Sequence, residues 1–141
     1  MGLLSEGIHP ATWDEVRATF GSGNDTRVAL YAGLREFVNL AETFGLFTSI
    51  IIDGSFVTNK AAPADVDAVL ILPAQGLRIL VRRPDYNRLD NAEVKEKYGV
   101  DLYIEDDHAG MVDFFQRLKI ADALGRGVGP RYRRGVLEVM L

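Results

Sequence analysis

The chain has 141 residues, 48% of them hydrophobic and 26% charged, with a formal net charge of −4 and no cysteine. That length suits one domain with a substantial core and not two. The acidic balance argues against a general grip on nucleic acid, and the missing cysteines exclude disulfides, zinc–thiolate centres and thiol nucleophiles.

The opening MGLLSEGIHP reads as an extended arm over residues 1–11, punctuated by Gly7 and Pro10. It carries no charged-then-apolar leader, and no apolar run in the chain reaches bilayer length. The expectation is a cytoplasmic protein with no membrane partner. Thr12 and Glu15 have capping-box spacing, so a short helix is predicted from Trp13 to Phe20. A longer one follows from Asp25 to Phe44, capped by Asn24 or Asp25 and stopped by Gly45. Its apolar positions, among them Val28, Tyr31, Leu34 and Val38, recur near helical period.

Strands are expected from Leu46 to Ile52 and from Val66 to Leu72, the latter ended by Pro73. Gly76 to Val81 (GLRILV) suggests a third short strand or the return of a hairpin. Asn87 to Tyr98 suits an exposed helix stopped by Gly99, and Val100 to Glu105 alternates as a strand should. A further helix is predicted from Asp107 to Leu124, then a glycine- and arginine-rich loop, then a last strand from Val136 to Met140. Helices alternating with strands predict an α/β (α+β) domain: a mixed β-sheet with helices packed mainly on one side.

The chemistry concentrates between Leu46 and Leu72. Asp65 and Asp67 open an apolar strand at positions i and i+2, which sends both side chains to one face. Adjacent carboxylates repel unless a cation takes up their field. Mg²⁺ is hard, prefers oxygen and is commonly held by one or two carboxylates plus substrate phosphates. The bland alternative is a strand-start pair that caps a loop or meets Lys60 or an arginine. Gly54 and Ser55 end the preceding strand; glycine lets a backbone approach a bulky anion, and Ser55 offers a hydroxyl and an N–H. Thr58 and Lys60 lie within reach of the same phosphate chain. Asp101, early in VDLYIE, converges on the pair if its strand is a neighbour. Three such acids suit in-line phosphoryl displacement, with Asp101 available as a general base.

The remaining candidates carry less. Asp53 precedes the Gly-Ser turn, where strand parity is unreliable, and is left out of the site. His9 and His108 lack metal-ligand spacing. Arg126, Arg131, Arg133 and Arg134, with Tyr132 among them, read as a solvated loop or as a contact to RNA, an acidic partner or the triphosphate.

The GS turn, the DVD that opens the next strand and the later VDLYI together resemble the nucleotidyltransferase superfamily that includes DNA polymerase beta. The small bacterial stand-alone members are the nearest match, over Leu34 to Ile104. The resemblance implies that Gly54 and Ser55 hold a nucleoside triphosphate; Lys60 is a candidate for the same nucleotide from its place in the loop alone. It also implies that Asp65 and Asp67 ligate Mg²⁺ or Mn²⁺ and that Asp101 is the third catalytic and metal-binding carboxylate. The implied activity is transfer of a nucleoside monophosphate to an acceptor hydroxyl on a protein or RNA, within a toxin–antitoxin type system; DNA is not expected as a partner. Many small members carry an arginine soon after the Gly-Ser, whereas Phe56, Val57 and Thr58 stand here before Lys60. That departure keeps a second expectation open: a nucleotide-sensing or partner-binding module that retains the fold without turnover.

Overall fold

The computed structural model describes residues 7–106 and 135–141. Among these, five strands form one mixed sheet: β1 (Gly7–Pro10), β2 (Ser49–Asp53), β3 (Val66–Ile71), β4 (Val100–Glu105) and β5 (Gly135–Met140). Their spatial order is β1-β5-β2-β3-β4. β2 runs antiparallel to both β5 and β3, while β4 lies parallel to β3 and β1 parallel to β5. The four described helices are α1 (Trp13–Thr19), α2 (Asp25–Glu42), α3 (Gly76–Leu80) and α4 (Asn91–Tyr98). None of the described helices is long and apolar enough to cross a membrane.

Period-2 alternation divides the sheet into two faces. Ile50, Ile52, Val66, Ala68, Leu70, Val100 and Leu102 point into the larger cluster, with Leu34, Phe37 and Val38 of α2. Val16 of α1, Leu80 of α3 and Val94 of α4 join the same cluster, so every described helix buries its apolar side there. Ile51, Val69, Ile71 and Val136 form a smaller cluster on the other face. The α+β reading and the one-sided helices therefore hold for the described residues.

Local signals explain most boundaries. Thr12 and Glu15 form the reciprocal capping box at α1. The Asn24 side chain accepts from the Arg27 N–H and fixes the start of α2. Two expectations need correction. Of the expected arm, Gly7–Pro10 is a strand of the sheet paired with β5, while residues 1–6 lie outside the described residues. GLRILV is helical: α3 occupies it, with Leu77, Ile79 and Val81 36%, 57% and 49% exposed. The reason is topological. A strand returning at once from β3 would lie antiparallel to it, but the place beside β3 belongs to the parallel β4. Parallel pairing requires a crossover, and the stretch carrying α3 and α4 supplies it. The predicted helix from Asn87 also starts later, because a short 3₁₀ turn (Tyr86–Leu89) precedes the Asp90 cap of α4. The expected helix from Asp107, the arginine-rich loop and His108 lie outside the described residues.

One buried cation ties these pieces together. Arg27, only 7% exposed, donates from Nη1 to the carbonyls of Phe20 (3.0 Å) and Phe56 (2.7 Å). Its Nη2 reaches the Thr58 carbonyl at 2.7 Å and also that of Lys60, to which Nε donates at 3.2 Å. All five guanidinium donors are thereby used on backbone oxygen. Burial without a carboxylate partner pulls its pKa below the usual arginine range. Arg27→Met leaves the Phe20, Phe56, Thr58 and Lys60 carbonyls without this donor. It is expected to lower the urea midpoint, costing about 3 kcal/mol with the denaturant slope unchanged.

Candidate functional site

Strand register assembles the acids. Asp67 on β3 stands opposite Asp53 on β2 and opposite Asp101 on β4. Residues directly opposite in paired strands project to the same side, so three carboxylates cross the sheet in a row, about 4.8 Å apart from strand to strand. The next row on this face is Ile51, Val69 and Tyr103. Asp65 immediately precedes β3 and, two residues from Asp67, shares its side. The register thus sets Asp101 beside Asp67, with Asp65 two residues before it. Asp53, only 5% exposed, is the member that sequence reasoning left out.

A cation already stands among them. Lys95 Nζ lies 3.4 Å from Asp65 Oδ2. Its hydrogen bond to Asp65, then the charges of Asp65 and Asp101 and more weakly Asp67, hold the ammonium above the usual lysine range against a small desolvation effect. Asn91, one helical turn before Lys95 on α4, explains this placement. Its Nδ2 donates to Asp101 Oδ1 at 3.1 Å, while its Oδ1 accepts from the Leu102 N–H at 2.8 Å. The side chain clamps α4 to β4, and residues i and i+4 share a helix face, so Lys95 follows Asn91 toward the acids.

The Gly-Ser turn closes against Asp67. Gly54 adopts φ 81° and ψ −170°, a region essentially reserved for glycine. A Cβ there would collide with the Asp67 carboxylate, coming within 2.8 Å of its Cγ. Ser55 opens a single 3₁₀ turn (Ser55–Val57), and its carbonyl accepts from Thr58 Oγ1 at 2.7 Å. Phe56 and Val57 are 0% and 1% exposed, so the apolar pair that separates Ser55 from Thr58 anchors the turn in the core. Lys60 goes elsewhere. It is exposed and lines a cleft of about 320 Å³ with Phe20, Asn24, Arg27 and Thr58, a cleft that none of the carboxylates lines.

The donor set suits a hard cation. Among the described residues no three His, Asp or Glu side chains already converge as a metal cage. Mg²⁺ requires fewer, since one or two carboxylates suffice when water and phosphate complete the shell. Asp67 supplies oxygen on the strand face it shares with Asp101, two residues after Asp65, and the glycine at position 54 lets the backbone lie directly against that carboxylate. Mg²⁺ or Mn²⁺ fits these donors, provided that Asp65 parts from Lys95.

Strand pairing places Tyr103 next to the acid row, and the packing of α4 along β4 brings Asn91 and Lys95 to it. Burial first, then the charges of Asp101 and Asp67 and a hydrogen bond to Asp101, push the Tyr103 phenol above its usual range, with Lys95 opposing. The native state therefore keeps this proton longer than the unfolded chain does. The associated stability is complete below about pH 10 and is lost as pH rises through the native value. Ultraviolet titration is expected to show Tyr103 ionising late, identified by the loss of that signal in Tyr103→Phe, and Asp101→Asn is expected to bring it earlier. Gly54→Ala is expected to cost at least about 1–3 kcal/mol of stability by denaturant titration, the backbone strain, to which the collision with Asp67 adds.

No curated protein and no solved structure matches the chain. Over residues 1–140 it matches the model of DUF6932, and the chain belongs to that family of unknown function.

Proposed function

We propose that the chain is a divalent-metal-dependent nucleotidyltransferase that passes a nucleoside monophosphate from a nucleoside triphosphate to a hydroxyl of a protein or RNA. The observation that carries this reading is the row Asp53–Asp67–Asp101, set across three adjacent strands beside the Gly54–Ser55 turn. Bound Mg²⁺ or Mn²⁺ would stabilise the charge that develops on the attacking and leaving oxygens. Asp65 and Asp67 hold the cation, and Asp101 is the third acid. In the reaction the acceptor oxygen bonds to the α-phosphorus as the bond to the bridging oxygen breaks, and pyrophosphate leaves. Asp101 takes the acceptor's proton. Gly54 lets the backbone approach the phosphates, and the Ser55 hydroxyl orients them. A cytoplasmic setting and a toxin–antitoxin type pairing belong to the same proposal.

A second reading has one observation in its favour. The Asp65–Lys95 ion pair compensates one carboxylate without any metal, as suits a nucleotide-sensing or partner-binding module that has lost turnover. Incubation with each labelled nucleoside triphosphate, Mg²⁺ or Mn²⁺ and candidate acceptors separates the two. The enzyme reading expects label transfer that falls by more than about 100-fold in Asp67→Asn, a loss at least as large as that for an outer-shell partner, with the circular dichroism spectrum unchanged. Triphosphate binding without transfer in the wild type establishes the sensing module instead.

A further inference from the structure

We infer that Lys95 is the resident counter-cation of the carboxylate row and that it sets how tightly the site takes a divalent metal ion. The inference rests on the metal-site reading above and deepens it. Two features of α4 carry it. Nζ of Lys95 sits 3.4 Å from Asp65 Oδ2, on a side chain that is 54% exposed and therefore free to leave. The backbone beneath it does not move with it, because Asn91 bonds both the Asp101 carboxylate and the Leu102 N–H. The ammonium is thus a flexible arm on a fixed post.

The charge arithmetic follows. Asp65, Asp67 and Asp101 bring three negative charges to one end of the sheet, with the Asp53 carboxyl beside them. Lys95 offsets one of them. A divalent ion that enters the same space meets both the attraction of the acids and the repulsion of the ammonium, unless Lys95 withdraws. Withdrawal costs the Asp65 pair but little else, since the side chain regains solvent and rotamer freedom. Lys95 therefore works as a competitor that weakens the site for free metal. It also leaves Asp65 available as a ligand only after displacement.

Lys60 cannot substitute, because its backbone is held to Arg27 and its side chain lines the separate cleft. Lys97, two residues beyond on α4, stacks on the Tyr98 ring at 5.4 Å. Lys95 is the α4 lysine that meets the acids.

The test measures Mn²⁺ binding to the intact chain by calorimetry and by water-proton relaxation, without nucleotide, in four proteins: wild type, Lys95→Met, Lys95→Arg and Asp67→Asn. A unit charge about 4 Å from a divalent ion in a water-like surrounding is worth about 2 kcal/mol, roughly thirtyfold in affinity, and withdrawal of the arm relieves part of it. Lys95→Met is expected to bind Mn²⁺ at least fivefold more tightly than wild type. Lys95→Arg, which keeps the charge, is expected to stay near wild type, and Asp67→Asn to lose the site. Equal affinity in wild type and Lys95→Met, with loss in Asp67→Asn, overturns the role of Lys95 and leaves the metal site standing. Tighter binding in Lys95→Arg as well as Lys95→Met also overturns it, because charge is then not the cause. No saturable Mn²⁺ binding in wild type or Lys95→Met overturns the role of Lys95 and the metal-site reading together. Lys95 is exposed, so its variants are expected to fold, and circular dichroism checks this for all four.

Discussion

The Arg27 guanidinium is the constraint on which the rest of the candidate site depends. A buried cation without a carboxylate survives only if its donors are met, and here all five meet backbone carbonyls. Those carbonyls belong to the end of α1 and to the loop after the Gly-Ser turn. Arg27 therefore holds the loop to α2, and its ring contact with Phe56 at 5.6 Å adds a second hold. With Phe56 and Val57 buried beneath it, the loop has one place to start: Gly54, pressed against the Asp67 carboxylate. The position of the turn relative to the acids thus follows from an interaction on the opposite face of the sheet.

The acids themselves present the opposite problem. Nothing in β-sheet geometry favours three carboxylates at one level of adjacent strands, since like charges directly opposite are destabilising. Asn91, Tyr103 and Lys95 spread the burden: two neutral groups hydrogen-bond Asp101 and one ammonium faces Asp65. Such a half-compensated cluster is a site where arriving positive charge is welcome. It also holds the Lys95 proton to higher pH than usual and adds to the larger effect of burial on Tyr103.

Much of this was legible from the residues alone, and the reasons are local. The Thr12–Glu15 box, the Asn24 cap and the β-branched SIIID run act over a few positions, so α1 and α2 emerge within two residues of their expected ends, while β2 starts three residues later than expected and ends one later. The period of two placed Asp65 and Asp67 on one side of β3 without any knowledge of its neighbours. GLRILV failed because its alternation is indifferent to topology: what excluded a strand was the parallel arrival of β4, a long-range fact. Asp53 was lost to a single uncertain step at the end of β2. Lys95 and Asn91 had no periodic or motif signal, and only the packing of α4 along β4 brings them to the acids. The placement of Lys60 in the other cleft likewise depends on Arg27, which no reading of the loop by itself anticipates.

The Asn91 clamp has one more consequence. Among the described residues β4 has a single strand neighbour, so its outward amides would otherwise be a template for another chain to add a strand. By taking the Leu102 N–H, Asn91 removes one rung of that ladder at the level next to Asp101. At the far margin of the sheet, Pro10 of β1 has no N–H to offer. The sheet is therefore guarded against edge-to-edge aggregation on both flanks, and on one of them the guard is the residue that also steadies the acids.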